Sequence, residues 1–135
     1  MSGGGPAGDA TARAGAPARA VVWAGGEATT YLRAGCGAVV ILLMADYDGP
    51  TALELIALLS MAHLVIAPNV PRDVPLPGWL ASLLEGLGLA SVRVVAERAF
   101  IDDVRCVARD DASLVRVVEE LGVAWLAPRT KGASG

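Results

Sequence analysis

The strongest constraint in this sequence is an uninterrupted apolar run, Ala38–Ala45, which reads AVVILLMA. A run of this length and composition is typical of a β-strand covered on both faces, and it is too short to span a membrane. It ends in the turn residues DYDGP at 46–50, in which Pro50 can start a helix. The sequence therefore predicts a buried strand, a turn and a helix over residues 38–62.

The rest of the chain alternates between strand-like and helix-like patterns. We predict further strands in RAVVWA (19–24), HLVIAP (63–68), SVRVVAER (91–98), DDVRCVARD (102–110) and VAWLAP (123–128). We predict helices in GGEATTYLRAG (25–35), TALELIALLSMA (51–62), WLASLLEGLG (79–88) and DASLVRVVEELG (111–122). This alternation indicates one α/β domain over residues 19–129, a layered mixed sheet with flanking helices, between disordered tails at 1–18 and 130–135.

Composition limits the partners that the chain can have. Hydrophobic residues make up 54% of the sequence, charged residues 19%, and the formal net charge is −3. Without a basic stripe, nucleic-acid binding is not expected. No secretory signal or membrane span is visible, so we expect a cytoplasmic protein that does not bind membranes. The mean hydropathy of +0.53 is high for a small domain and favours a homodimer that buries apolar surface.

The two cysteines do not indicate a metal or redox site. Cys36 and Cys106 are separated in sequence and neither belongs to a CxxC pair. We interpret both as reduced thiols, and we expect no cofactor.

Asp46 and Asp48 admit two interpretations. An apolar strand followed by Asp-x-Asp-Gly resembles the first motif of haloacid-dehalogenase-type phosphatases, in which Asp46 would be the nucleophile and Asp48 the acid or base, with Mg²⁺. However, the next predicted strand ends in VIAPN without the Ser or Thr of that family, and the only lysine is Lys131. A simple strand-to-helix turn is the favoured interpretation.

A second resemblance extends over residues 31–129. Four segments resemble, in the same order along the chain, segments of 3,4-dihydroxy-2-butanone 4-phosphate synthase, the riboflavin-pathway lyase. They are YLRAG, LLMADYDGPTALELIALLSMAHLVIA, LLEGLGLASVRVVAE and ARDDASLVRVVEELGVAWLA. The resemblance implies a shortened version of that α/β fold, a homodimer, and a catalytic role for Glu97. The acidic loop of that family is absent, and PLPGW stands where its Gly-His-Thr-Glu motif belongs.

These departures lead to three hypotheses. The first is a divergent relative that has lost the metal-dependent lyase machinery and acts in a biosynthetic pathway as a small-molecule-binding accessory protein or a metal-free enzyme. The second is an active Mg²⁺-dependent sugar-phosphate lyase that uses Asp46, Asp48 and Glu97. The third is the small phosphatase.

Other residues are weaker candidates for ligand binding. His63 is the only histidine and begins a predicted strand, where a structural role is more common than a catalytic one. Trp79 and the neighbouring Pro-rich loop, with Arg72, are expected to line a ligand pocket. The core or an interface is the other expected location for Trp79, and it is the expected location for Trp23 and Trp125. Ten of the eleven basic residues are Arg, which suggests a GC-rich bacterial genome.

Overall fold

A β-hairpin opens the part of the chain that this computed structural model describes, residues 17–121. β1 (Ala18–Ala24) and β2 (Glu27–Ala34) pair antiparallel. Gly25 and Gly26 join them with φ angles of 63° and 85°, the left-handed pair that a two-residue hairpin turn requires. The helix predicted over residues 25–35 is therefore wrong, because the Gly-Gly turn and the β-branched residues that follow it favour a second strand.

Helices alternate with strands after the hairpin. The elements are β3 (Val39–Leu43), α1 (Pro50–Leu59), β4 (Leu64–Pro68), α2 (Leu76–Leu87), β5 (Val92–Ala96), α3 (Arg98–Asp110) and β6 (Val115–Glu120). They form a six-stranded sheet in the order β1-β2-β4-β3-β5-β6. β2 is antiparallel to β4, whereas β4, β3, β5 and β6 are mutually parallel. The predicted α/β domain with a mixed sheet and flanking helices is confirmed.

Two elements after β5 have the opposite type to the prediction. Residues 98–110 form a helix, since Ile101, Val104 and Val107 recur at helical spacing and are all buried. Residues 115–120 form a strand that pairs with β5, although their apolar residues also fit a helical period. A short apolar run fits the period of a strand as well as that of a helix. Residues 115–120 form a strand because they can pair with the open edge of β5.

The core has two parts, one on each face of the sheet. On one face α2 and α3 cover the sheet through Leu80, Leu83, Leu84 and Val104. On the other face α1 covers it through Ala52, Leu55 and Ile56. β3 contributes to both parts, and its residues 40–43 are fully buried, as the apolar run predicts.

The ends of the predicted domain are only partly described. The predicted tails, the strand at 123–128 and Trp125 lie outside the described residues, except that β1 already begins at Ala18. Trp23 lies on β1 with 68% of its surface exposed. No helix within residues 17–121 combines the length and the apolar character needed to cross a membrane.

Gly35 holds the hairpin against the start of β4. Its φ is +85°, and a Cβ at this position would collide with the carbonyl oxygen of His63 and lie 2.7 Å from that of Ser60. Both obstacles are backbone atoms, so they cannot rotate away. The junction between β2 and the loop after α1 therefore requires glycine.

We expect Gly35→Ala to destabilise the protein more than Gly26→Ala, which is a matched control. Gly26 has the same φ of +85°, but a Cβ added there would have no other atom within 4 Å. Gly26→Ala should cost about 1–2 kcal/mol for the left-handed backbone, and Gly35→Ala a further ~1–3 kcal/mol for the collision. Urea unfolding measures both. Equal losses would contradict the close approach.

Candidate functional site

The carboxyl ends of β3 and β5 meet at the centre of the sheet. Leu43 pairs with Ala96 at the last position of this parallel ladder, and the Glu97 amide then donates to the Leu43 carbonyl at 3.0 Å. As a result the turn after β3 lies directly beside the turn after β5. The crevice outside the carboxyl ends of parallel strands is where open α/β sheets bind their ligands.

Glu97 joins the two turns through its side chain. Its Oε1 accepts a hydrogen bond of 2.7 Å from the Ala45 backbone amide, a short bond of the charge-assisted kind. Glu97 occupies the N-cap position of α3 with φ −64° and ψ 156° but does not cap its own helix. The backbone is thus unstrained, and the carboxylate reaches across to β3 because the glutamate side chain is long enough.

A cavity of about 550 Å³ opens at the same edge of the sheet. The cavity is lined by Ala45, which donates this hydrogen bond, and by Ala99, two residues after Glu97. Glu97 itself does not line it. Most of the wall is apolar, and its two charged side chains are Arg72 from the loop before α2 and Asp103 from α3. The remaining lining residues are Val70, Pro71, Val74, Pro75, Leu76 and Phe100.

Asp46 and Asp48 lie in the turn between β3 and α1. The Gly49 amide donates to the Asp46 carbonyl at 3.1 Å, and the Asp46 carboxylate lies over Gly49. Asp48 is 3.9 Å from Arg19, whose guanidinium also donates to the Tyr47 hydroxyl at 2.8 Å. The predicted turn and helix start are thus present, and neither aspartate lines the cavity.

Arg98, the residue after Glu97, forms an ion pair. Arg98 donates to Glu120 at 3.0 Å, and this hydrogen bond, with the attraction between the two charges, raises the pKa of Arg98. Within residues 17–121 no group of three or more His, Cys, Asp or Glu side chains is placed to hold a metal ion.

The three predicted ligand-binding residues lie in different places. Arg72 lines the 550 Å³ cavity and also a second one of about 370 Å³ on the other side of its loop. Trp79 lies inside the core with 2% of its surface exposed, and its Nε1 donates to Thr29 Oγ1 at 3.3 Å. His63 lies at the opposite edge of the sheet, where β4 begins.

Comparison with solved structures identifies the architecture. The chain superposes on an epoxide hydrolase from Vigna radiata with a TM-score of 0.65 and 18% identity, over 77% of this chain and 39% of the hydrolase. A haloalkane dehalogenase from Agrobacterium tumefaciens C58 gives 0.65 and 16% identity, over 77% and 40%. A serine hydrolase involved in carbazole degradation gives 0.65 and 20%, over 78% and 48%. The fold is that of the α/β-hydrolases.

The likeness covers only part of the similar enzymes. The chain spans less than half the length of each of these three structures. No protein-family model matches the sequence, and no curated protein matches it either. At this level of identity the comparison establishes the fold.

The predicted relationship to the dihydroxybutanone phosphate synthase is wrong. The similar structures are hydrolase-fold enzymes, so the divergent-relative, lyase-like and active-lyase hypotheses are all contradicted, and so is the phosphatase hypothesis. The resemblance depended on the order of short apolar segments and turns, which many α/β proteins share. Two of those segments also have a different secondary structure from the one assumed, because residues 31–34 of YLRAG lie in β2 and residues 115–120 form β6, where the resemblance implied helices.

Glu97 lies at the strand-to-helix turn between β5 and α3. In the α/β-hydrolase fold the nucleophile stands on a sharp strand-to-helix turn, and backbone amides of the following residue and of the loop after β3 stabilise the oxyanion. Glu97 is the first residue after β5, and Ala45 lies in the loop after β3. The Ala45 amide donates its hydrogen bond to the Glu97 carboxylate.

Sequence reasoning missed Asp103 and Phe100 as cavity residues. Both face the cavity together with Ala99, from which Asp103 is one helical turn away. The spacing of Ile101, Val104 and Val107 is the signal that could have found them, because it places residues 99, 100 and 103 together beside the buried stripe of α3.

We expect Glu97→Ala to speed hydrogen exchange of the Ala45 amide. Loss of the hydrogen bond removes about 1–2 kcal/mol of local protection, a factor of about 5–30 in exchange rate. Glu97→Gln keeps a side-chain oxygen acceptor and should retain most of the protection. NMR hydrogen exchange at Ala45 tests this, and equal rates in all three proteins would show that the bond does not persist in solution.

Proposed function

We propose that the protein is a hydrolase-fold enzyme that acts on small, largely apolar molecules with an electrophilic carbon, and that Glu97 is its nucleophile. The observation that carries the proposal is the position of the Glu97 carboxylate. It stands at the end of β5, 2.7 Å from the Ala45 amide, beside an apolar cavity at the carboxyl edge of the sheet.

A carboxylate can open the reaction by covalent catalysis. One Glu97 oxygen would attack the substrate carbon and form an ester bond as the bond between that carbon and the leaving atom breaks, with the electron pair passing to the leaving atom. Water would then attack the ester, release the alcohol and restore the carboxylate. Oε1 is held by Ala45, whereas Oε2 makes no hydrogen bond to another residue in the range 17–121.

Asp103 is the residue best placed to activate the water. His63 is not placed to do this, because it lines a different pocket at the opposite edge of the sheet. Asp103 lines the cavity and is half-buried, so its carboxylate can accept a proton there. Arg72, also on the cavity wall, would stabilise negative charge on the leaving atom.

The similar structures are consistent with this class of substrate. They include an epoxide hydrolase and a haloalkane dehalogenase. Epoxides and alkyl halides both present a carbon that a carboxylate can attack with departure of an oxygen or a halide.

Covalent capture on Glu97 tests the proposal. The protein is incubated with a panel of small epoxides and bromoalkanes, and peptides are analysed by mass spectrometry. We expect a transient ester on the peptide containing Glu97, none in Glu97→Gln, and a longer-lived ester in Asp103→Asn because its hydrolysis slows. Glu85→Gln, an exposed change on α2, is the matched control and should behave as the unchanged protein.

Two results would contradict the proposal. One is an adduct that persists unchanged in Glu97→Gln, which would place the reactive group elsewhere. The other is saturable binding of these molecules in the cavity without any adduct or turnover, which would make the cavity a binding site only.

A further inference from the structure

A third pocket lies at the amino edge of the parallel strands, opposite the Glu97 site. Its volume is about 320 Å³. Arg93 and Arg116 bring two guanidinium groups to it from the neighbouring strands β5 and β6, and His63 faces it from the start of β4. The other lining residues are Ala38, Val39, Val40, Ser91 and Val117.

A β-bulge aims Arg116 into this pocket. Val92 pairs with Val115, but Arg93 pairs with Val117, so Arg116 is an extra residue in the ladder between β5 and β6. A bulge redirects the side chain of the residue that it inserts. Without it, the regular alternation of β6 would be one residue out of step, and Arg116 would stand directly opposite a residue of β5.

Backbone strain occurs at the same place. Ser91, the residue before β5 and part of the pocket wall, has a φ of 59° and is the only non-glycine residue with positive φ in the range 17–121. Its conformation is fixed by two backbone hydrogen bonds around it, from Ser91 N to Ser113 O at 2.7 Å and from Val92 N to Leu114 O at 3.0 Å. Strain of this kind concentrates at binding and catalytic sites.

His63, which lines this pocket, has a ring nitrogen without a hydrogen-bond partner in the described part of the chain. Its Nδ1 is buried and is the one buried side-chain nitrogen or oxygen atom without a hydrogen-bond partner among residues 17–121. A buried polar atom without a partner is costly.

The local charge favours an anion. Arg93 is bonded to Glu119 at 2.9 Å, so one of the two guanidinium groups is partly neutralised. Arg116 forms no ion pair with another residue of the described range. The pocket therefore keeps one free cationic group and a second that an incoming anion can share with Glu119.

We propose that this amino-edge pocket binds the phosphate group of a small molecule. Guanidinium groups match the oxygens of a phosphate in geometry and charge, and two of them on adjacent strands can contact the same group. His63 lines the same pocket. The volume of about 320 Å³ leaves room for an organic portion beyond the phosphate.

Titration with inorganic phosphate, followed by NMR of ¹⁵N-labelled protein at constant ionic strength, tests the proposal. We expect saturable shifts at Ser91, Arg93 and His63. Arg116→Gln should weaken the dissociation constant about tenfold. Arg105→Gln removes the same charge from the exposed face of α3 and should change it by less than about twofold.

A second variant gives a change of the opposite sign. Glu119→Gln removes the competitor for Arg93 and should tighten phosphate binding, whereas Glu85→Gln, which changes the same charge on α2, should not. A general loss of folding cannot produce tighter binding. Glu97→Gln should leave phosphate binding unchanged, so the outcome is independent of the hydrolase proposal.

Three results would overturn the assignment. They are the absence of saturable shifts at millimolar phosphate, equal weakening by Arg116→Gln and Arg105→Gln, and no tightening in Glu119→Gln. Acetate distinguishes phosphate from other oxyanions, because acetate binding as tight as phosphate binding would make this a general carboxylate site and would contradict the phosphate assignment.

Discussion

The parallel pairing of β3 with β5 is the constraint on which the rest of the structure depends. It places the most apolar segment of the chain at the middle of a six-stranded sheet, with residues 40–43 fully buried between the helices of both faces. Burial on both faces is why this strand has no polar alternation. Because the two strands are parallel and end in register, Leu43 opposite Ala96, whatever follows each of them must share one edge.

The parallel strands separate two candidate sites, one at their carboxyl ends and one at their amino ends. At the carboxyl edge the Glu97 carboxylate meets the Ala45 amide, and the cavity beside them is mainly apolar, with Arg72 and Asp103 as its charged groups. At the amino edge two arginines and a histidine surround a smaller pocket. The length of the strands between the edges keeps the two sites apart, so a ligand at one does not contact the other.

The nucleophile role that we propose for Glu97 would not require a strained turn. In the α/β-hydrolase fold a serine must be lifted into the site by a sharp turn. A glutamate carries its reactive oxygens two carbons further from the backbone than a serine hydroxyl. The turn at Glu97 therefore keeps an ordinary extended conformation. Val95 and Ala99 can stand two residues before and after Glu97, at the positions where the sharp serine turn has glycines.

The sequence alone predicts correctly those elements whose hydrophobic pattern fits only one type of secondary structure. It correctly predicts the strand in the run at 38–45, the turn at 46–50 and the helix that starts at Pro50, and it makes Glu97 a candidate, although for a different chemistry. It fails at residues 102–110 and 111–122, because their valines fit both a strand and a helix and only the edge of β5 selects between them. Asp103 and the two-arginine pocket depend on those two elements, so neither is visible in the sequence alone.

The most direct test of this account is the set of interstrand NOEs around β5. We predict parallel-strand contacts from Val94 to both Ile41 and Val118, as the register requires, which would place Glu97 beside the turn after β3. Sequential helical contacts through residues 115–120 instead, with none between Val94 and Val118, would mean that β6 does not exist. That result would contradict the sheet order and the amino-edge pocket, whereas absence of the contact between Val94 and Ile41 would contradict the pairing of β3 with β5 and with it the Glu97 site.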